Sequence, residues 1–178
     1  MPFTVEDGSG VVGANALISV AQYKAHCDLR GVSYSGVTDA AIEQAIVRAT
    51  DWLNSLTWKG RRRYPRGASK VQGTAFPRVD MTDSEGFSVD YASVPDEVID
   101  ACAMVAVLEV AQPGAMKPTV TPGQMIKATS AGPVSVEFMG VRTDAESMRP
   151  VLLGVRDLIS GLLSSYGRSP IVGAAYRA

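Results

Sequence analysis

Apolar residues recur at steps of three and four along the stretch that begins at Thr38: Ile42, Ala45, Ile46, Ala49, Leu53 and Leu56. That spacing sets them on one face of a helix, with Glu43, Gln44, Arg48, Asp51 and Asn54 largely on the other. Thr38 supplies an N-cap hydroxyl, and Asp39 and Glu43 bring negative charge to the positive end of the helix dipole. Both tryptophans of the chain, Trp52 and Trp58, belong to this stretch, which is the natural centre of a small helical core. Ser19-Val20-Ala21-Gln22 has the form of a capping box and predicts a helix to about Leu29 that stops at Gly31, with Val20, Tyr23 and Cys27 as its apolar stripe. A third helix opens at Ser93-Val94-Pro95-Asp96-Glu97 and continues IDACAMVAVLEVA, with little polar besides Asp100 and Glu109, before Pro113-Gly114 ends it. A helix apolar all round must be covered on most sides, by its own domain or by a neighbouring subunit.

Elsewhere the pattern changes. Two short alternating runs, Met125–Ala128 and Val134–Phe138, flank Ser130-Ala131-Gly132-Pro133 and predict a β-hairpin. A bare hairpin is marginal by itself, so it needs another surface to pack on. A last helix is expected from about Pro150 to Ser165, with Val151, Val155, Leu158 and Leu162 inward and with Gly154 and Gly161 allowing close approach. The first eighteen residues and the tail after Gly167 lack helical or strand periodicity and are expected to be arms. Between the second and third helices lie a basic loop, KGRRRYPRGASKVQGTAFPR, and an acidic one from Asp80 to Asp90.

Composition narrows the function. A chain of 178 residues suits one domain with a real core, and a net charge of -1 argues against a general nucleic-acid binder. No apolar run is long enough to span a bilayer, and the N-terminus lacks the features of a signal peptide. Cys27 and Cys102 are therefore expected to be buried, reduced thiols. His26, the only histidine, points away from Cys27 on a helix and is expected to be a structural residue on its surface. One histidine and two distant cysteines make no zinc site, and no catalytic, metal or cofactor constellation emerges, so enzyme activity is not expected. Gly8-Ser9-Gly10-Val11-Val12-Gly13 matches G-x-G-x-x-G, but it lacks a strand before it and a helix opening on it. The basic stretch interleaves Lys59, Arg61, Arg62, Arg63, Arg66, Lys70 and Arg78 with Trp58, Tyr64 and Phe76. Three readings are open for it: a solvated loop with Arg stems over apolar surface, an interface for an acidic partner, or a single-strand site with phosphate contacts and base stacking.

The order of these motifs resembles the head–tail adaptor, or head-completion, proteins of tailed bacteriophages. The resemblance rests on EDGSGVVGAN, SVAQYKAHCDLRG, AAIEQAIVRATDWLNSL with Trp58-Lys59-Gly60-Arg61-Arg62, Phe76-Pro77-Arg78 where the family often has Trp-Pro-Arg, and VPDEVIDACAMVAVLEVA. Related sequences are also labelled single-stranded-DNA-binding proteins, which makes DNA binding in phage replication the alternative. The resemblance implies a mainly α subunit spanning 1–178, a small helical bundle with an inserted β-hairpin and extended N- and C-terminal arms. Its parts would be an arm at 1–18, a helical core at 19–112 containing the loop 59–93, a hairpin at 123–140, a helix at 144–166 and an arm at 167–178. Such subunits form a ring, commonly dodecameric, at the head–tail junction of the virion. The ring sits beneath the portal protein, meets a tail terminator or further connector, and passes genomic DNA without reading it; no membrane and no cofactor are implied. The expected subunit or portal interface comprises Trp58, Arg61, Arg62, Arg63, Arg66, Phe76, Pro77, Arg78, Ile171, Val172 and Tyr176.

Overall fold

The computed structural model describes residues 2–64, 71–117, 128–131, 134–137 and 152–164. Among these, four helices and a small antiparallel hairpin make a mainly α chain. Helix α1 spans Val20–Arg30 and α2 spans Asp39–Asn54. Two-residue strands β1 (Arg61–Arg62) and β2 (Arg78–Val79) pair antiparallel, Arg61 opposite Val79. Helix α3 spans Asp96–Ala111, strands β3 (Ala128–Ala131) and β4 (Val134–Glu137) form the hairpin, and α4 (Leu153–Ile159) runs into a 3-10 turn at Ser160–Leu162.

The helix ends follow their capping residues. Ser19 Oγ accepts from the Gln22 amide at 3.2 Å while Gln22 Oε1 accepts from the Ser19 amide at 2.8 Å, a reciprocal capping box. Gly31 takes the left-handed conformation that ends α1, at φ 65°. Thr38 Oγ1 accepts from the Ala41 amide at 3.3 Å to start α2.

Helices α2 and α3 are the most extensively packed pair of elements. Ile42, Ile46, Ala49 and Leu53 of α2 share one buried cluster with Val98, Ala101, Cys102, Val105 and Ala106 of α3, and Ala45 is buried as well. Burial of each large aliphatic side chain contributes about 1.5–3 kcal/mol. A polar clamp crosses the same interface. The Glu109 carboxylate, 1% exposed, accepts from Arg48 Nε at 2.6 Å and from the amides of Gly114 at 2.7 Å and Met116 at 2.9 Å, so it also caps the turn after α3. Burial alone pushes this carboxyl up, but the two amides and the Arg48 guanidinium outweigh it and hold the group below its usual range.

Four expectations change. The N-terminal segment is not an arm: Ala14, Ala16, Leu17 and Ile18 are buried, and the Leu17 amide donates to Thr50 Oγ1 of α2 at 3.1 Å. Its burial depends on partners remote in sequence, which local periodicity does not record. The hairpin pairs Ala128 with Glu137 and Ala131 with Val134, so Ser130 and Ala131 are strand residues instead of turn. The last helix is shorter, and its inner face is Val155, Ile159 and Leu162 while Leu158 is 37% exposed. His26 is buried, 6% exposed, with Nδ1 3.0 Å from Asp100 of α3, whose other oxygen accepts from Arg30 at 3.1 Å. The polar stripe of α1 thus meets the acid of α3 and clips the two helices together.

Candidate functional site

The described parts of the basic and aromatic stretch after α2, residues 58–64 and 71–78, pack against each other. Trp58 and Phe76 are 6% and 1% exposed and meet edge to face, ring centroids 4.9 Å apart at 81°. Trp58 Nε1 donates to the Leu53 carbonyl at 2.9 Å, anchoring the ring to the end of α2. Pro77, joined to Phe76 by a cis peptide bond, is buried as well. Arg78 spends its guanidinium on main chain: Nε donates to Lys59 O at 2.7 Å, one terminal nitrogen to Gly60 O at 2.8 Å and the other to Ala75 O at 3.2 Å. Burial pushes this guanidinium below its ordinary value, and the charge of Arg62 adds to that. Lys59 Nζ reaches the carbonyls of Gly161 at 2.6 Å and of Thr82 and Asp83 at 3.3 Å, tying the basic loop to both the acidic loop and the 3-10 turn. The backbone repeats the link, with the Lys59 amide donating to Leu162 O and the Ser164 amide to Thr57 O.

The remaining described basic residues, Arg61, Arg62 and Arg63, lie nearer the surface. Arg61 pairs with Asp80 at 2.9 Å, both exposed, and such a pair contributes little. Arg63 stacks between the rings of Tyr64 and Tyr91, 5.4 and 5.0 Å from their centroids. Arg62 is half-buried in β1. Of the expected interface, Trp58, Phe76 and Pro77 are therefore interior and Arg78 is a lacing residue, while Arg61, Arg62 and Arg63 share one ladder and its edge. Arg66, Ile171, Val172 and Tyr176 lie outside the described residues.

The G-x-G-x-x-G run holds an anion, but an internal one. Glu6, 3% exposed, accepts through Oε1 from the amides of Gly8 at 3.0 Å and Gly10 at 2.7 Å, and through Oε2 from Val11 at 2.9 Å. No helix opens on the loop; α1 begins only at Val20. Gly8, at φ 95°, is pressed against the Ala92 carbonyl, and Gly10, at φ 76°, against the Tyr64 ring, so neither position tolerates a side chain. Glu6 did not stand out in the sequence; the only signal was an acid placed two residues before a glycine-rich turn.

An apolar groove of about 510 Å³ runs between α1, α3 and α4, lined by His26, Val32, Met104, Leu108 and Leu153 among others. Leu153 at its rim is 69% exposed and Leu108 39%. Both thiols are poor nucleophiles: burial pushes Cys27 up and Cys102 up to about 12. Among the described residues no three His, Cys, Asp or Glu side chains are grouped to hold a metal ion, and no helix is long and apolar enough to cross a membrane.

The family described as "Putative DnaT-like ssDNA binding protein" matches residues 1–178. No curated protein and no solved structure matches.

Proposed function

The chain belongs to this DnaT-like family, and within it we propose a structural role, as a head–tail adaptor of a tailed bacteriophage. On this reading copies of the chain form a ring, dodecameric as the motif resemblance implies, beneath the portal protein. A tail terminator or further connector docks below, and genomic DNA passes through the lumen without sequence-specific contact. Arg61, Arg62 and Arg63 would meet protein at the subunit or portal interface. A connector has to let DNA slide, and a strongly basic lumen would hold phosphates.

One observation carries the preference for this role. The residues a single strand would use most, Trp58, Phe76, Lys59 and Arg78, are engaged inside the chain. Stacking needs open aromatic faces, and a phosphate track needs cations held toward solvent. The net charge of -1 points the same way.

The second reading, single-stranded-DNA binding in phage replication, is favoured by the family's description. It would have to run over Arg61, Arg62 and Arg63 with Tyr64 and Tyr91 alongside. Quantitative mass spectrometry of purified virions separates the two. The adaptor reading expects a copy number close to the portal's and far below the major capsid protein's. Absence from virions together with abundance in infected cells would overturn it in favour of the replication reading.

A further inference from the structure

The loop from Glu6 to Val11 contains a feature that neither proposed role uses. Three main-chain amides, those of Gly8, Gly10 and Val11, converge on one carboxylate. Gly8 and Gly10 both lie at positive φ, which turns alternate amides to the same side of the chain. Successive amides arranged in this way form an anion-binding concavity, the main-chain device used for phosphates. The walls are rigid. Gly8 abuts the Ala92–Ser93 backbone, Gly10 abuts the Tyr64 ring, and the Glu6 amide is tied to Ala16 O at 2.8 Å. The concavity is thus held open by packing from two loops and by the segment that leads to α1, and not by Glu6 alone.

We propose that the Gly8–Val11 loop is an oxyanion-binding site whose resident ligand is the chain's own Glu6 carboxylate, and that it accepts a small external oxyanion, a carboxylate or a phosphate, when that side chain is withdrawn. Donor geometry supports the assignment. The amides lie 2.7–3.0 Å from the carboxylate oxygens, the range of charge-assisted hydrogen bonds, and both oxygens are used. Burial of the carboxyl opposes its ionisation while the three amides favour it, burial being the larger. The internal ligand is held there by attachment: a tethered carboxylate competes at high effective concentration, so the intact chain excludes free anions.

The test uses Glu6→Ala in the full chain, with thermal unfolding followed in acetate, in phosphate and in chloride at matched ionic strength. Glu6→Ala should lower the midpoint by roughly 4–8 °C, the shift that a net loss of about 2 kcal/mol makes in a chain of this size. Acetate, which refills the volume of the missing carboxyl, or phosphate should restore a saturable part of that loss. Chloride should not, and the wild-type chain should show no anion-specific gain. A folded Glu6→Ala chain that responds identically to all three salts overturns the proposal. If Glu6→Ala does not fold, the wild-type chain tests the resident ligand on which the proposal rests. The amide proton resonances of Gly8, Gly10 and Val11 should move together as the Glu6 carboxyl titrates, and three amides that ignore its titration overturn the assignment.

Discussion

The α2–α3 pair and the loop-built wall formed by residues 58–64 and 71–89 are both parts of the core, yet different forces hold them. Between the helices, aliphatic side chains fill the interface, crossed by the Arg48–Glu109 clamp and by the buried contact of Thr50 Oγ1 with Cys102 Sγ. In the wall, β1 and β2 have two residues each, so there is almost no ladder to satisfy the main chain. Side chains do that work instead. Arg78 and Lys59 donate to backbone carbonyls, Gln72 Nε2 donates to Thr74 O and Pro77 O at 3.0 Å, and Asn54 Oδ1 accepts from the Ala75 amide. A buried carbonyl without a donor costs roughly 1–3 kcal/mol, so a wall without regular structure needs such long donors. Basic residues in a loop can therefore be architectural, and their sign alone says little about a nucleic-acid partner.

The comparison can be broken most strongly at Phe76. Phe76→Ala removes a fully buried ring from its edge-to-face partner and should lower the unfolding free energy by about 3–5 kcal/mol in a denaturant titration. Far-ultraviolet circular dichroism and tryptophan fluorescence should still report a single transition. Separate transitions would mean that the wall melts independently of the helices.

Arg48→Met tests the polar clamp on the helical side. It leaves Glu109 buried with only its two amide donors and should cost about 2–3 kcal/mol, less than a fully buried pair because Arg48 is partly exposed. The pH dependence has a definite sign. Glu109 is held below its ordinary value of 4.5, so its stabilisation is complete above that pH and is lost as pH falls through the lower folded value. Glu109→Gln should lower stability at neutral pH and flatten the fall in stability below pH 4.5, measured by denaturant midpoints across that range.

Lys59→Met sharpens the account of the wall. It keeps the apolar stem but removes the donor to Gly161, Thr82 and Asp83, and should cost about 1–2 kcal/mol while speeding amide exchange in the 3-10 turn. A surface lysine would show neither effect. The smallest change belongs to the helical side, where Thr38→Ala removes the cap of α2 and should cost about 1 kcal/mol.

These two regions also differ in how far they could be read before folding. Helices α1, α2 and α3 were legible to within about two residues, the usual limit for helix ends, because their periodicity and caps are local. Leu158 was expected on the inner face because it continues an i, i+3 series from Val155, but Ile159, at i+4, takes that place, and only the neighbouring elements decide between them. The wall was illegible for a different reason. Lys59 and Gly161 are 102 positions apart, Leu17 and Thr50 are 33 apart, and nothing local marks a carbonyl as the acceptor of a remote side chain. Trp58 and Phe76 were read with Tyr64 as aromatics interleaved among basic residues, but their mutual packing, and hence their removal from any surface, depended on the fold. Glu6 shows the same limit at the N-terminus, where a glycine-rich run expected to be part of an arm, and only formally a phosphate-binding motif, proves to hold the chain's own carboxylate.

The central claim is that Trp58, Lys59, Phe76 and Arg78 are internal lacing and not a binding face for single strands. A titration of the intact chain with oligo(dT) at low salt, followed by tryptophan fluorescence, tests it most directly. Trp52 and Trp58 are both 6% exposed, so the account predicts a blue-shifted emission that the oligonucleotide does not quench. Saturable quenching that weakens steeply with added salt would show bases stacking on a tryptophan beside phosphate-bound cations, and would contradict it.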